Sequence, residues 1–161
     1  MRTGTSFMLA LHAAVLLAAC GGADPLDKDQ VVGIPAGTAR GTAASGTYAA
    51  HLQVTACSGT CTPRVCEVGR QLDADAAVTQ VDGRLTFDAG GVPLAGGIDA
   101  DGGFVVGGWG ALGALEASIR SEGTWTGDGL TGSYDLRVVG TDAGQAIDCV
   151  GESALVATRL R

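Results

Sequence analysis

The sequence predicts an all-β protein, a small antiparallel up-and-down barrel or sandwich of about eight strands. Apolar and polar side chains alternate with a period of two over long stretches. Asp-Gly and Gly-Gly pairs, which suit tight turns, punctuate the chain at intervals of roughly ten residues. Beyond residue 45 no segment keeps a helical period, and 27 glycines in 161 residues weigh further against helices, since glycine is among the poorest helix formers.

Over residues 47–55 the apolar face is Tyr48, Ala50, Leu52 and Val54, with His51, Gln53 and Thr55 opposite. Asp82-Gly83 favours a two-residue hairpin. It joins residues 76–81 to 84–88, sets Val78 across from Phe87 and Gln80 across from Leu85, and turns Gln80 towards the apolar side. There Gln80 needs a partner: the favoured reading is a hydrogen bond to backbone near one barrel end, the other a place in a ligand pocket with Trp125 and Tyr134. Further turns are expected at Gly90-Gly91, Asp101-Gly102-Gly103 and Thr141-Asp142-Ala143-Gly144. Leu115, Ala117 and Ile119 alternate with Glu116, Ser118 and Arg120, and Leu130, Gly132, Tyr134, Leu136 and Val138 alternate with polar neighbours. Between them Asp128-Gly129 predicts a second two-residue hairpin, pairing Gly127 with Leu130. Trp125 would then face Gly132, Gly123 would face Tyr134, Ser121 would face Leu136 and Ile119 would face Val138, so that each aromatic ring covers a glycine backbone. Closing such a meander removes exposed sheet edges, and the glycines supply the bends.

The amino-terminal part reads differently. Behind Arg2 runs an apolar stretch over residues 7–18, shorter than the roughly 20 residues a membrane-crossing helix needs. It ends in Leu17-Ala18-Ala19-Cys20, which resembles the lipobox of bacterial lipoprotein signal peptides. The resemblance implies cleavage before Cys20, acylation of that cysteine (palmitate among the acyl groups), and residues 1–19 as a signal peptide. The competing reading is an ordinary secretory signal that leaves Cys20 as a free thiol. Five cysteines favour the lipobox, because committing Cys20 to lipid leaves an even four. Two or more acyl chains make an effectively permanent anchor, where one is marginal. Gly21 in place of an aspartate implies an outer-membrane destination in enteric bacteria. Residues 20–45, rich in Gly, Ala, Thr, Asp and Pro, are expected to form the lipidated terminus and a flexible tether, with a β domain over 46–161.

Ten basic against seventeen acidic side chains give a net charge of −7, and loss of Arg2 with the signal makes the mature chain more acidic still. Without a basic cluster, nucleic acid is excluded as a partner, because phosphate neutralisation needs several Lys or Arg on one face.

Cys57, Cys61, Cys66 and Cys149 are expected to form two disulfides in an exported chain, since structural zinc prefers tighter paired spacing. Three connectivities are open; the favoured one closes a bridge within 57–66 and ties that loop to Cys149. His51 lies on the polar side of its strand, and no Gly-x-Ser-x-Gly nucleophile motif occurs. Asp99-Ala-Asp101-Gly102 and Asp73-Ala-Asp75 echo fragments of calcium loops but lack the remaining ligands. No catalytic activity, metal or cofactor is expected.

The hairpin unit Gly123-Thr-Trp-Thr-Gly127 leading into Leu130-Thr-Gly-Ser-Tyr134 is similar to those of small calycin-like and other meander-barrel lipoproteins of the bacterial envelope. That resemblance implies a lipid-anchored, non-catalytic structural or small-ligand-binding domain. Gln80, Trp125 and Tyr134 are the candidate ligand-binding residues. Trp109, between glycines, is placed on a loop, either as a candidate interface with an envelope protein or as a plug at a barrel mouth. The alternative function is inhibition of a periplasmic or surface hydrolase, as in lysozyme- or protease-inhibitor lipoproteins.

Overall fold

The computed structural model describes residues 23–88 and 91–161. Eight strands follow one another: β1 (Gly46–Thr60), β2 (Gln71–Val81), β3 (Arg84–Asp88), β4 (Leu94–Ile98), β5 (Gly103–Leu112), β6 (Leu115–Trp125), β7 (Gly129–Asp142) and β8 (Gln145–Arg159). Each pairs antiparallel with the next, and β8 pairs with β1 to close the barrel. The up-and-down barrel is therefore the outcome, rather than the sandwich.

Alternation sends one side of every strand inward. Tyr48, Val78, Leu85, Phe87, Phe104, Val106, Ile119, Leu130 and Leu155 form one interior cluster. A second, smaller cluster of Val54, Cys66, Ile147 and Cys149 fills the end where β7 turns into β8. The Asp82-Gly83 hairpin has the expected register, Val78 opposite Phe87 and Gln80 opposite Leu85, with Asp82 at φ +50° as a tight turn of this kind demands. Ala143 (φ +47°) and Gly144 (φ +83°) make the corresponding turn between β7 and β8.

The β6–β7 register differs from expectation by two residues. Trp125 pairs with Leu130, Gly123 with Gly132, Ser121 with Tyr134 and Ile119 with Leu136. The turn sits one residue earlier: Thr126 N–H donates to the Gly129 carbonyl at 2.9 Å, enclosing Gly127-Asp128 rather than Asp128-Gly129, and Gly127 rather than Asp128 takes the positive φ, +72°. A shift of two leaves every side chain on its expected face. The facing pair is glycine on glycine, and a side chain on either would overlap the other strand's backbone.

Cys57 is bonded to Cys66 and Cys61 to Cys149. A bulge between Val54 and Ala56 shifts the β1–β8 register just before the first of these cysteines. Gly151, opposite Cys57, leaves room for the Cys66 sulfur. The two bridges thus pin the 61–70 loop across one end of the barrel.

Residues 24–45, expected as a tether, lie instead along the outer wall as a strap. A one-turn helix, α1 (Lys28–Val31), buries Val31 fully. Val31 and Ile34 then lie over Gly107, Pro35 to Gly37 over Gly97, and Gly37 over Gly83. Backbone bonds hold the track: Gly37 N–H to Gly83 O at 2.9 Å and Ala39 N–H to Ile98 O at 3.0 Å. Asp99 Oδ1 accepts from both the N–H and the hydroxyl of Thr38, each at 3.0 Å. At its start, Asp24 and Asp27 meet Arg137 at 3.1 and 3.6 Å. At its end Ala44, fully buried, donates its N–H to Gln80 Oε1 at 2.7 Å. A flexible segment was expected because these contacts are backbone against glycine and leave no side-chain periodicity. The residues up to 22, including the expected signal peptide, Cys20 and Gly21, lie outside the described residues, as does Gly90.

The seat of the strap has no room for a methyl group. Gly97→Ala is expected to lift residues 35–37 and cost about 2 kcal/mol, seen as faster proteolysis within 33–40 and a lower Tm. Removing the Cys61–Cys149 bridge, whose cysteines are 88 residues apart, should cost about 4 kcal/mol in chemical denaturation, against about 2–3 kcal/mol for Cys57–Cys66, nine apart.

Candidate ligand-binding cavity

An eight-stranded barrel has an interior that side chains just fill or that holds one small ligand. Here the inward positions of several strands carry alanine, and the interior is left partly empty. A cavity of about 250 Å³ lies among Ala50 and Leu52 of β1, Ala74, Ala76 and Val78 of β2, Phe87, Leu94, Leu130, Leu155 and Ala157. Three polar side chains reach it: Tyr48, Ser121 and Tyr134. No charged side chain lines it among the described residues.

Two of the three polar groups are already committed. Tyr48 donates its hydroxyl proton to the Ala44 carbonyl at 2.9 Å and accepts from Trp125 Nε1 at 3.2 Å. Ser121 donates to the Ser133 carbonyl at 2.7 Å. Tyr134 differs: its inward ring borders the cavity and a smaller hollow of about 60 Å³ next to Cys66 and Cys149, and its hydroxyl bonds to no described residue. Burial pushes the Tyr134 phenol pKa above its ordinary value, because the charged form would be poorly solvated there.

The cavity opens where the wall is incomplete. β3 ends at Asp88, which pairs with Ala77, so, among the described residues, 71–76 of β2 pair only with β1. Leu72, Ala74 and Gly91, all exposed, form the rim on that side. At the far end Gln80 is buried and satisfied, its Oε1 held by Ala44 N–H and its Nε2 donating to the Asp82 carbonyl at 2.9 Å. That end is closed by polar contacts. The opposite end is closed by the disulfide-bonded loop.

The three candidate ligand residues therefore separate. Tyr134 borders the cavity; Trp125 stands behind Tyr48 as its hydrogen-bond donor, and Gln80 is a closing group that does not line it. Trp109 is on strand β5, paired with Ser118, rather than on a loop. Its ring lies under the Lys28 ammonium at 3.6 Å, while Gly108 and Gly110 leave room for Val92 on the inner side. His51 sits on the outer wall 2.5 Å from Asp73, its cross-strand neighbour. Asp99 holds the strap and Asp101 accepts from Gly103 N–H at 3.0 Å. Among the described residues no group of three or more His, Cys, Asp or Glu is placed to hold a metal ion. Sequence reasoning passed over Ser121 and the alanine walls. The available signal was alanine at alternate inward positions, Ala74 and Ala76 on one strand and Ala50 on its neighbour.

A wider hollow of about 620 Å³ lies outside the barrel between the strap and β5, lined by Asp29, Gln30, Val32, Gly33 and Arg120 among others. It is rimmed largely by exposed residues. The barrel cavity is the better enclosed of the two.

Because the folded-state pKa of Tyr134 is raised above its unfolded value, its contribution to stability is complete below the unfolded pKa of about 10. It is lost as pH rises through the folded value. Tyr134→Phe should therefore flatten the alkaline fall in Tm while leaving Tm near pH 7 nearly unchanged, measured by thermal melts between pH 7 and 12. The chain matches no protein-family model, no curated protein and no solved structure.

Proposed function

We propose that this is a lipid-anchored protein of the bacterial envelope whose barrel is a non-catalytic binding module for one small, mostly apolar molecule. The observation that carries the binding reading is the apolar cavity with a single uncommitted polar group, the Tyr134 hydroxyl. Pockets of this kind, apolar walls with a few placed polar atoms, are the usual form of small-molecule sites. An apolar cavity of about 150 Å³ holds a benzene molecule, so about 250 Å³ suits a ligand of about ten non-hydrogen atoms.

The anchor rests on Leu17-Ala18-Ala19-Cys20 and its likeness to a lipobox, with Gly21 directing the protein to the outer membrane. The strap bears on what such an anchor does. Its first ion pair is made by Asp24, four residues after Cys20, and four extended residues span at most about 14 Å. An acylated Cys20 would hold the barrel wall against the membrane surface rather than on a long leash.

Native mass spectrometry of the protein extracted from its own host's membranes tests both parts. The expected spectrum shows a chain beginning at an acylated Cys20 and carrying a non-covalent small molecule, which Ala157→Phe abolishes by filling the cavity. An unacylated Cys20 removes the anchor from the reading. A wild-type barrel that carries nothing and takes up no apolar probe leaves a structural role in its place.

A further inference from the structure

From the chemistry of the cavity wall we infer that the ligand is an uncharged molecule with one hydrogen-bonding group, an alcohol, phenol, ketone or lactone on a compact apolar body, and that Tyr134 Oη is the atom that recognises it. This inference rests on the binding reading above and narrows it to a chemical class.

The argument is one of elimination among polar partners. Of the three polar side chains on the wall, Ser121 spends its proton on Ser133 O, and Tyr48 spends its own on Ala44 O while accepting from Trp125 Nε1. Tyr134 retains both a donor and an acceptor. Its position is set by the pairing of Tyr134 with Ser121 on β6 and Ser153 on β8, so the hydroxyl is offered from a strand rather than from a loop. One such group satisfies one polar atom of a ligand. A second acceptor atom would be stripped of water against Ala50, Ala76 or Leu155 with no donor to replace it, since Ser121 Oγ has only lone pairs left to offer, and that loss is costly.

Charge is excluded more strongly. A carboxylate or ammonium in this cavity would meet no opposite charge among the described lining residues, and an unpaired ion taken out of water loses far more than an apolar wall returns. Arg70, which borders only the smaller hollow, is committed. Its guanidinium bonds the carbonyls of Arg64 and Pro63 and the carboxylate of Glu67 at 3.0, 2.7 and 2.8 Å. Amino acids and phosphorylated metabolites, whose charge would lie against the apolar wall, therefore do not fit, and neutral compounds do.

Three probes that share one bicyclic body separate the possibilities: 1-naphthol, naphthalene and 1-naphthoate. The full mature protein is titrated with each at pH 7 by fluorescence and calorimetry, together with Tyr134→Phe and Ala157→Phe. Variants are compared only after circular dichroism and thiol counts confirm an intact barrel with both disulfides. The expected order in the wild type is naphthol tightest and naphthoate at least tenfold weaker. Tyr134→Phe should weaken naphthol about tenfold and leave naphthalene within twofold, and Ala157→Phe should abolish binding of all three. Should naphthoate bind as tightly as naphthol, or Tyr134→Phe leave naphthol unchanged while Ala157→Phe still blocks it, the chemical class is wrong and the carrier reading stands. Should no probe bind the wild type, both fall together.

Discussion

Pairing of β1 with β8 is the constraint on which the rest of the molecule depends. Both are 15 residues long, and they pair from Tyr48 with Arg159 to Thr60 with Asp148. A meander left open would present two unpaired edges; joining its first and last strands removes them and defines an inside. Only then do the inward side chains of eight strands meet one another. Local hairpins such as β2–β3 need no such closure, whereas the cavity, the buried Gln80 and the Cys61–Cys149 bridge all do.

Each end of the closed barrel is sealed by different chemistry. At one end the seal is polar, a relay in which Trp125 donates to Tyr48, Tyr48 to Ala44 O, and Ala44 N–H to Gln80. Buried polar groups are tolerated there because each has its partner. At the other end two disulfides hold the 61–70 loop over Val54, Ile147 and Cys149. Between the seals the alanines leave space, and the shortness of β3 and β4, five residues each, leaves one side of the wall thin. Emptiness and access thus arise from the same economy of side chains and strand length.

Glycine serves two unlike purposes. On the outer wall Gly83, Gly97 and Gly107 let the strap lie backbone to backbone on the sheet. Within the barrel wall the facing pair Gly123 and Gly132 lets β6 and β7 come close at the level of Trp125 and Tyr134. Composition alone cannot tell these apart, since a missing side chain leaves no mark of what occupies its place.

Alternation and turn chemistry are local, so they suffice for the meander order, the Asp82-Gly83 register and the inward faces of strands such as β1, β2, β6 and β7, but not for β5, where glycines around Trp109 break the alternation. The four paired cysteines were legible for a similar reason: four cysteines allow only three pairings, and the close spacing of Cys57, Cys61 and Cys66 favours a bridge within that loop. The β6–β7 register lies two residues from the one Asp128-Gly129 implies, because the neighbouring pair Gly127-Asp128 suits a two-residue turn as well and local turn chemistry does not choose between them. That choice is made by pairing along the whole of both strands. The backbone bonds of Gln80 at one barrel end follow from its inward register, whereas tertiary structure alone decided the course of residues 24–45, the separation of Trp125 from Tyr134, and the cavity. Each depends on surfaces that exist only once the barrel has closed: glycine backbone bared on its outside, and space left between alanines of distant strands within.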